Sequence, residues 1–187
     1  MISTPLETLQ DAIRQEFPKF KVALKSQSNL MKFIGFVLKV ITFGKMSTFM
    51  ADFITTIGYT VYVTDTWYQG EDVSRMIVLR HERVHMRQKN KYGMALFTFL
   101  YVLFPLPGGL AYFRTKFERE AYAETIRATV ELVPDGKYMV RSSSYKAFLT
   151  SEFSSSAYFW MWPFKASNSA WYDSVVAALP PLVEQMA

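Results

Sequence analysis

His81 and His85 are the only histidines in this chain of 187 residues, and Glu82 follows the first of them. On a helix, side chains four apart stand one above the other, so both imidazoles can reach one cation. Glu82 lies one step round, where its carboxylate can take a proton from a water at the metal without being a ligand. Two nitrogen ligands and a general base from a single turn make a hydrolytic arrangement, and zinc (Zn2+) is the cation it suits. The segment Asp72–Lys91 should be that helix, with Glu71 or Asp72 favouring its N-terminus and Met76-Ile77-Val78-Leu79 apolar enough to bury it. Ordinary surface residues can spell such a pattern, but shuffling this composition produces it only in roughly one case in 1,800.

A second chemistry-bearing stretch lies downstream, where Leu110–Val130 reads as a helix holding Phe117-Glu118-Arg119-Glu120-Ala121-Tyr122-Ala123-Glu124. A His-Glu-x-x-His helix followed some tens of residues later by a helical Glu-x-Glu-Ala resembles the gluzincins. It is most similar to the minimal gluzincins and membrane-linked relatives whose second helix reads Glu-x-Glu-Ala-Asp. The resemblance covers roughly Thr55 to Ile126. It implies a zinc metallopeptidase with Glu118 as third ligand, acting on a peptide or protein substrate. Where the family carries its supporting aspartate this chain has Tyr122.

Helical phase bears separately on the ligand. Glu118 lines up with Tyr122 and Ile126 beside Phe117 and Ala121, an interior face. Glu120 shares a solvated face with Lys116, Glu124 and Arg127 and is the alternative ligand. Salt bridges to Arg114, Lys116 and Arg119 are the reading of these glutamates that involves no metal. Three protein ligands leave one open position, and Glu82 would take a proton from water and pass it to the leaving amine. Tyr122 is a candidate to stabilise the oxyanion. Two other classes stand beside this one: a catalytically silent metal-binding or regulatory module, and a membrane-associated structural protein with an accidental motif.

The elements that must position these residues read as a mostly helical α+β fold, with a short sheet preceding the zinc-binding helix pair. A single domain over 1–187 is expected, with N-terminal helices in 4–54 and a metal-binding core in 55–130. Thr4, Pro5 and Glu7 form a capping box, Leu6, Leu9, Ile13 and Phe17 an apolar stripe, and Pro18 a stop. Asn29–Phe43 should be a helix docked on the body, and Ser47–Ile54 should continue as helix. Thr55–Val63 is the best strand, rich in β-branched and aromatic residues, with an edge that can pair with an extended substrate. Asp65–Gly70 reads as a turn and Tyr92-Gly93 as the end of the zinc helix.

Met94–Phe104 reads as a buried helix, and Pro105-Leu106-Pro107-Gly108-Gly109 as a tight reversal that breaks any membrane span. Beyond it come a turn at Pro134–Lys137, an amphipathic stretch at Tyr145–Phe153, a loop at Ser154–Ser156, aromatic core cover at Ala157–Phe164 and a last helix at Ser174–Leu182.

Half the residues are hydrophobic and 17% aromatic, which excludes a disordered chain. There is no cysteine, so disulfides, thiolate zinc sites and thiol nucleophiles are excluded. A net charge of +5 without a dense basic run points away from nucleic acid. Met1–Phe20 lacks the apolar core of a signal peptide, and a cytoplasmic location is expected. Two apolar stretches, 30–43 and 94–113, offer themselves for peripheral membrane contact.

Overall fold

Thr4 opens the first helix, α1 (Pro5–Glu16), with the expected capping box. Its hydroxyl accepts from the Glu7 amide at 3.2 Å, and its own amide donates to the Glu7 carboxylate at 2.8 Å. Leu6, Ile13 and Phe17 are buried from this stripe. The computed structural model describes residues 4–44, 46–103, 111–154 and 161–181. The expected reversal at Pro105–Gly109 lies outside them, as do residues 155–160 and Leu182.

The architecture is α+β and mostly helical, with one three-stranded sheet among the described residues. The chain divides into two compact units, Met1–Lys89 and Asn90–Ala187. In the first unit, β1 (Lys21–Leu24) pairs parallel to β3 (Thr60–Val63), and β2 (Thr55–Ile57) pairs antiparallel to β3. The single strand expected over Thr55–Val63 is therefore a hairpin. Gly58 has φ +61° and Tyr59 is not in the positive-φ region, the pattern of a two-residue II′ turn. After the turn the alternation holds: Val61 and Val63 are buried while Thr60 and Tyr62 are half-buried. The β1 strand escaped the sequence reading because it has four residues and pairs with a strand nearly forty positions away.

Asp65–Tyr68, expected as a turn, is a short helix, α4, capped by the Thr64 hydroxyl at the Trp67 amide. It leads to the long helix α5 (Asp72–Tyr92). The unit's core joins Leu6, Ile13, Phe17, Phe20, Val61, Val63, Trp67, Leu79 and Met86.

The helix α2 (Asn29–Ile41) starts at the Ser28 cap and gives way to Phe43 (φ +50°) and Gly44 (φ +83°). It was expected to dock on the body, but among its side chains only Met31 is buried. Gly35 lets it approach α3 (Phe49–Asp52), because a Cβ there would stand 3.2 Å from Met50 Cγ. Only those four residues of the expected Ser47–Ile54 helix are helical. Lys25, fully buried before α2, donates from Nζ to the Phe49 carbonyl at 2.8 Å and lies 3.5 Å from that ring's centroid.

Burial pulls the Lys25 ammonium down to about 8. The unfolded chain keeps that proton until about 10.4, so it binds more protons than the folded state between those values. Stability therefore rises with pH across that window. Denaturant unfolding at about pH 7 and about pH 9 should differ by about 1 kcal/mol from this group. Lys25→Met should remove that increment.

In the second unit, α6 (Met94–Thr98) runs into a π-helical turn at Phe99–Leu103. The expected uniform helix from Met94 thus changes pitch halfway. The helix α7 (Tyr112–Leu132) is followed by α8 (Gly136–Met139), α9 (Ser143–Ser154) and α10 (Lys165–Ala177). The turn at Pro134–Lys137 has Asp135 at φ +57° and needs Gly136, whose Cβ would fall 2.1 Å from the Thr129 carbonyl oxygen. The last helix begins well before the expected Ser174 and ends at Ala177. The unit's core is formed by Ala111, Ile126, Val140, Leu149, Phe153, Met161 and Tyr172, with Trp162 packed against it. No helix among the described residues is long and apolar enough to cross a membrane.

Candidate metal centre

Asp72–Tyr92 forms the single helix α5 that carries His-Glu-x-x-His. Its end at Gly93 (φ +79°) needs a residue free to adopt that conformation. Two adjacent stripes run along it. Leu79, Glu82, Met86 and Lys89 recur at intervals of three and four, and all are buried; Leu79 and Met86 belong to the hydrophobic core. His81, His85 and Gln88 make the neighbouring stripe, with His85 and Gln88 buried and His81 half-buried.

The helix is anchored from the solvent side. Glu16 at the end of α1 accepts Arg83 Nε at 2.6 Å and Arg87 Nε at 2.6 Å. The Arg87 hydrogen bond, with Arg83 beside it, holds the Glu16 carboxyl below its ordinary range. Arg83 stands inside the motif, so this ion pair fixes the rotation of the turn that bears both histidines.

The Nε2 atoms of His81 and His85 lie 3.2 Å apart, with their rings inclined at 74°. Two nitrogen ligands at about 2.0–2.1 Å on a tetrahedral zinc stand about 3.3 Å from each other. The imidazoles are thus spaced as two ligands of one cation. On the far side of His85, Nδ1 is 2.9 Å from Gln88 Oε1. An Nδ1–H donated there leaves the Nε2 lone pair for a metal. Gln88→Ala should therefore lower metal affinity about 10–100-fold, measured by competition with a chromophoric chelator.

Glu82 is 8% exposed, and its Oε2 accepts the Thr56 hydroxyl at 2.6 Å. Thr56 comes from β2. Lys89 Nζ donates to the carbonyls of Thr56 at 3.1 Å and Gly58 at 3.2 Å, tying the hairpin to α5. Burial lowers Lys89 to about 8, opposed by the negative charge of Glu82. The β2 edge, expected to offer its backbone to a substrate, thus has the Thr56 carbonyl already engaged.

In the second unit Glu118 is 1% exposed on α7, whereas Glu120 is exposed. Tyr101, on the π-helical turn, donates its hydroxyl to Glu118 Oε1. Its ring stacks on Phe97 at 5.3 Å, and the Arg114 guanidinium lies 5.1 Å from its centroid. Turns of this pitch recur at functional sites. Burial raises the Glu152 carboxyl from α9, and the charge of Glu118 adds to the rise. Tyr122 packs its ring on Phe153 at 5.4 Å, within the hydrophobic cluster.

His81 and His85 stand on α5 in the first unit, and Glu118 stands on α7 in the second. Two imidazole nitrogens and a carboxylate oxygen suit zinc, and other divalent transition metals accept the same donors.

Four residues beside these groups were not singled out from sequence: Thr56, Gln88, Tyr101 and Glu152. Gln88 carried a signal, being three positions after His85 and hence on the same helical face. Thr56, Tyr101 and Glu152 carried none, because their partners are set by tertiary structure.

No family model, curated protein or solved structure matches this chain.

Proposed function

We propose that this protein is a zinc-dependent endopeptidase of gluzincin type. The observation that carries the reading is the geometry of α5: two Nε2 atoms 3.2 Å apart beside a buried glutamate held by a threonine hydroxyl. The ligands proposed are His81 and His85, supported by the spacing of their Nε2 atoms, and Glu118 as the third. Glu118 is favoured over Glu120 by its burial and by the Tyr101 hydrogen bond. The zinc, when bound, supplies a water pKa lowered toward about 7 and a polarised substrate carbonyl.

The chain's own residues supply the remaining parts. Gln88 orients His85, and Tyr101 orients the Glu118 carboxylate. Glu82 accepts the proton from the attacking water and delivers it to the leaving amine. Thr56 fixes one carboxylate oxygen of Glu82 and leaves the other to receive that proton. A peptide carbonyl is the electrophile such a site treats, and a peptide or protein segment is the substrate proposed.

The test is cleavage of an unfolded protein by the purified chain. Cleavage should be abolished by a zinc chelator and restored by added zinc. Activity untouched by the chelator would remove the reading.

A further inference from the structure

Between Glu16 and Asp52 the chain has no acidic residue, and six lysines fall in the interval: Lys19, Lys21, Lys25, Lys32, Lys39 and Lys45. Lys25 is buried, while Lys19, Lys21, Lys32 and Lys39 are exposed. This run surrounds α2, the helix that leaves its apolar side chains outside. Phe33 is 65% exposed and Phe36 66%, and Leu30, Val40 and Ile41 are exposed with them. Phe43, just past the helix end, is 96% exposed.

At about 100° per residue, Phe33, Phe36 and Val40 fall in one sector, widened by Leu30 and Ile41. Met31 and Gly35 face the opposite way, toward α3. Lys32 and Lys39, seven apart, share a line along the flank of the apolar sector, roughly 100° from its centre. A face of this size is not an ordinary scatter of surface apolar residues.

We infer that α2 is a membrane-surface helix that lays Phe33, Phe36 and Val40 into the boundary of an anionic lipid bilayer, with its lysines on the phosphates. Apolar rings on one side and lysines on the flank are what such a boundary accommodates. At 13 residues the helix is about 20 Å long, too short to cross a bilayer and suited to lying in its plane. A second copy of the chain is the weaker occupant. Face-to-face pairing would bring one row of lysines against another, with no acid in the run to offset them. This inference is independent of the metal-centre reading.

The experiment is sedimentation of the full-length protein with vesicles of phosphatidylcholine alone and of phosphatidylcholine mixed with phosphatidylglycerol. Binding should favour the anionic vesicles by about tenfold or more and weaken as salt is added. F33S/F36S should lose about tenfold per ring, and K32E/K39E about fivefold or more per lysine, with circular dichroism unchanged. Phe36→Trp keeps the apolar face intact and should show a blue-shifted emission on anionic vesicles only. No binding to either vesicle, or equal binding to both, would overturn the inference. So would binding that F33S/F36S leaves intact. A concentration-dependent dimer lost in F33S/F36S, without vesicle binding, would assign the face to a second copy instead.

Discussion

Glu82→Gln is expected to keep its fold and its metal while losing about 10²–10⁴-fold in the rate of peptide cleavage. Glu82 stands on the buried stripe of α5, beside the histidines, and its Oε2 is held by the Thr56 hydroxyl at 2.6 Å. Glutamine is nearly isosteric there, and its amide oxygen can still accept that hydroxyl. What it cannot do is accept a proton at neutral pH. The substitution thus separates proton transfer from metal binding, and zinc content must be measured on the sample assayed for cleavage. A variant that holds zinc and cuts at the wild-type rate would remove Glu82 from the role of base. A wild-type chain that binds zinc and cuts nothing would favour the silent metal-binding module.

His85→Ala should have the largest effect on the metal itself. It deletes one of the two nitrogens that stand 3.2 Å apart, together with the ring that Gln88 orients. The loss of affinity should exceed the about 10–100-fold expected from removing an outer partner such as Gln88. The linkage between binding and folding offers a convenient readout. A ligand at about a thousand times its dissociation constant stabilises the folded state by about 4 kcal/mol. Zinc should therefore raise the melting temperature of the wild-type chain measurably, and the rise should vanish in His85→Ala. An undiminished rise would mean the metal sits elsewhere.

Local signals in the chain were readable where one short stretch decides the outcome. The capping box at Thr4, the stop at Gly93 and the stripes of α5 each follow from residues within a turn or two of one another. The burial difference between Glu118 and Glu120 follows from helical phase in the same way. The rest was not legible, because a single glycine reverses the chain or a distant partner decides the outcome. Gly58 splits Thr55–Val63 into a hairpin because its positive φ reverses the chain inside an otherwise continuous run of β-branched and aromatic residues. β1 exists only through parallel pairing with β3. Lys25 and Lys89 are charged residues that a sequence places on the surface, yet both are buried on backbone carbonyls supplied by other elements. The exposure of α2 was hidden for the converse reason: an apolar helix looks the same in sequence whether its face meets the core or the solvent.

The most direct measurement is an anomalous-difference map collected at the zinc edge on crystals grown with zinc. A single strong peak within about 2.0–2.2 Å of His81 Nε2, His85 Nε2 and a Glu118 carboxylate oxygen is the expected result. A map with no peak at the two imidazoles, or with its peak on other side chains, would contradict the account.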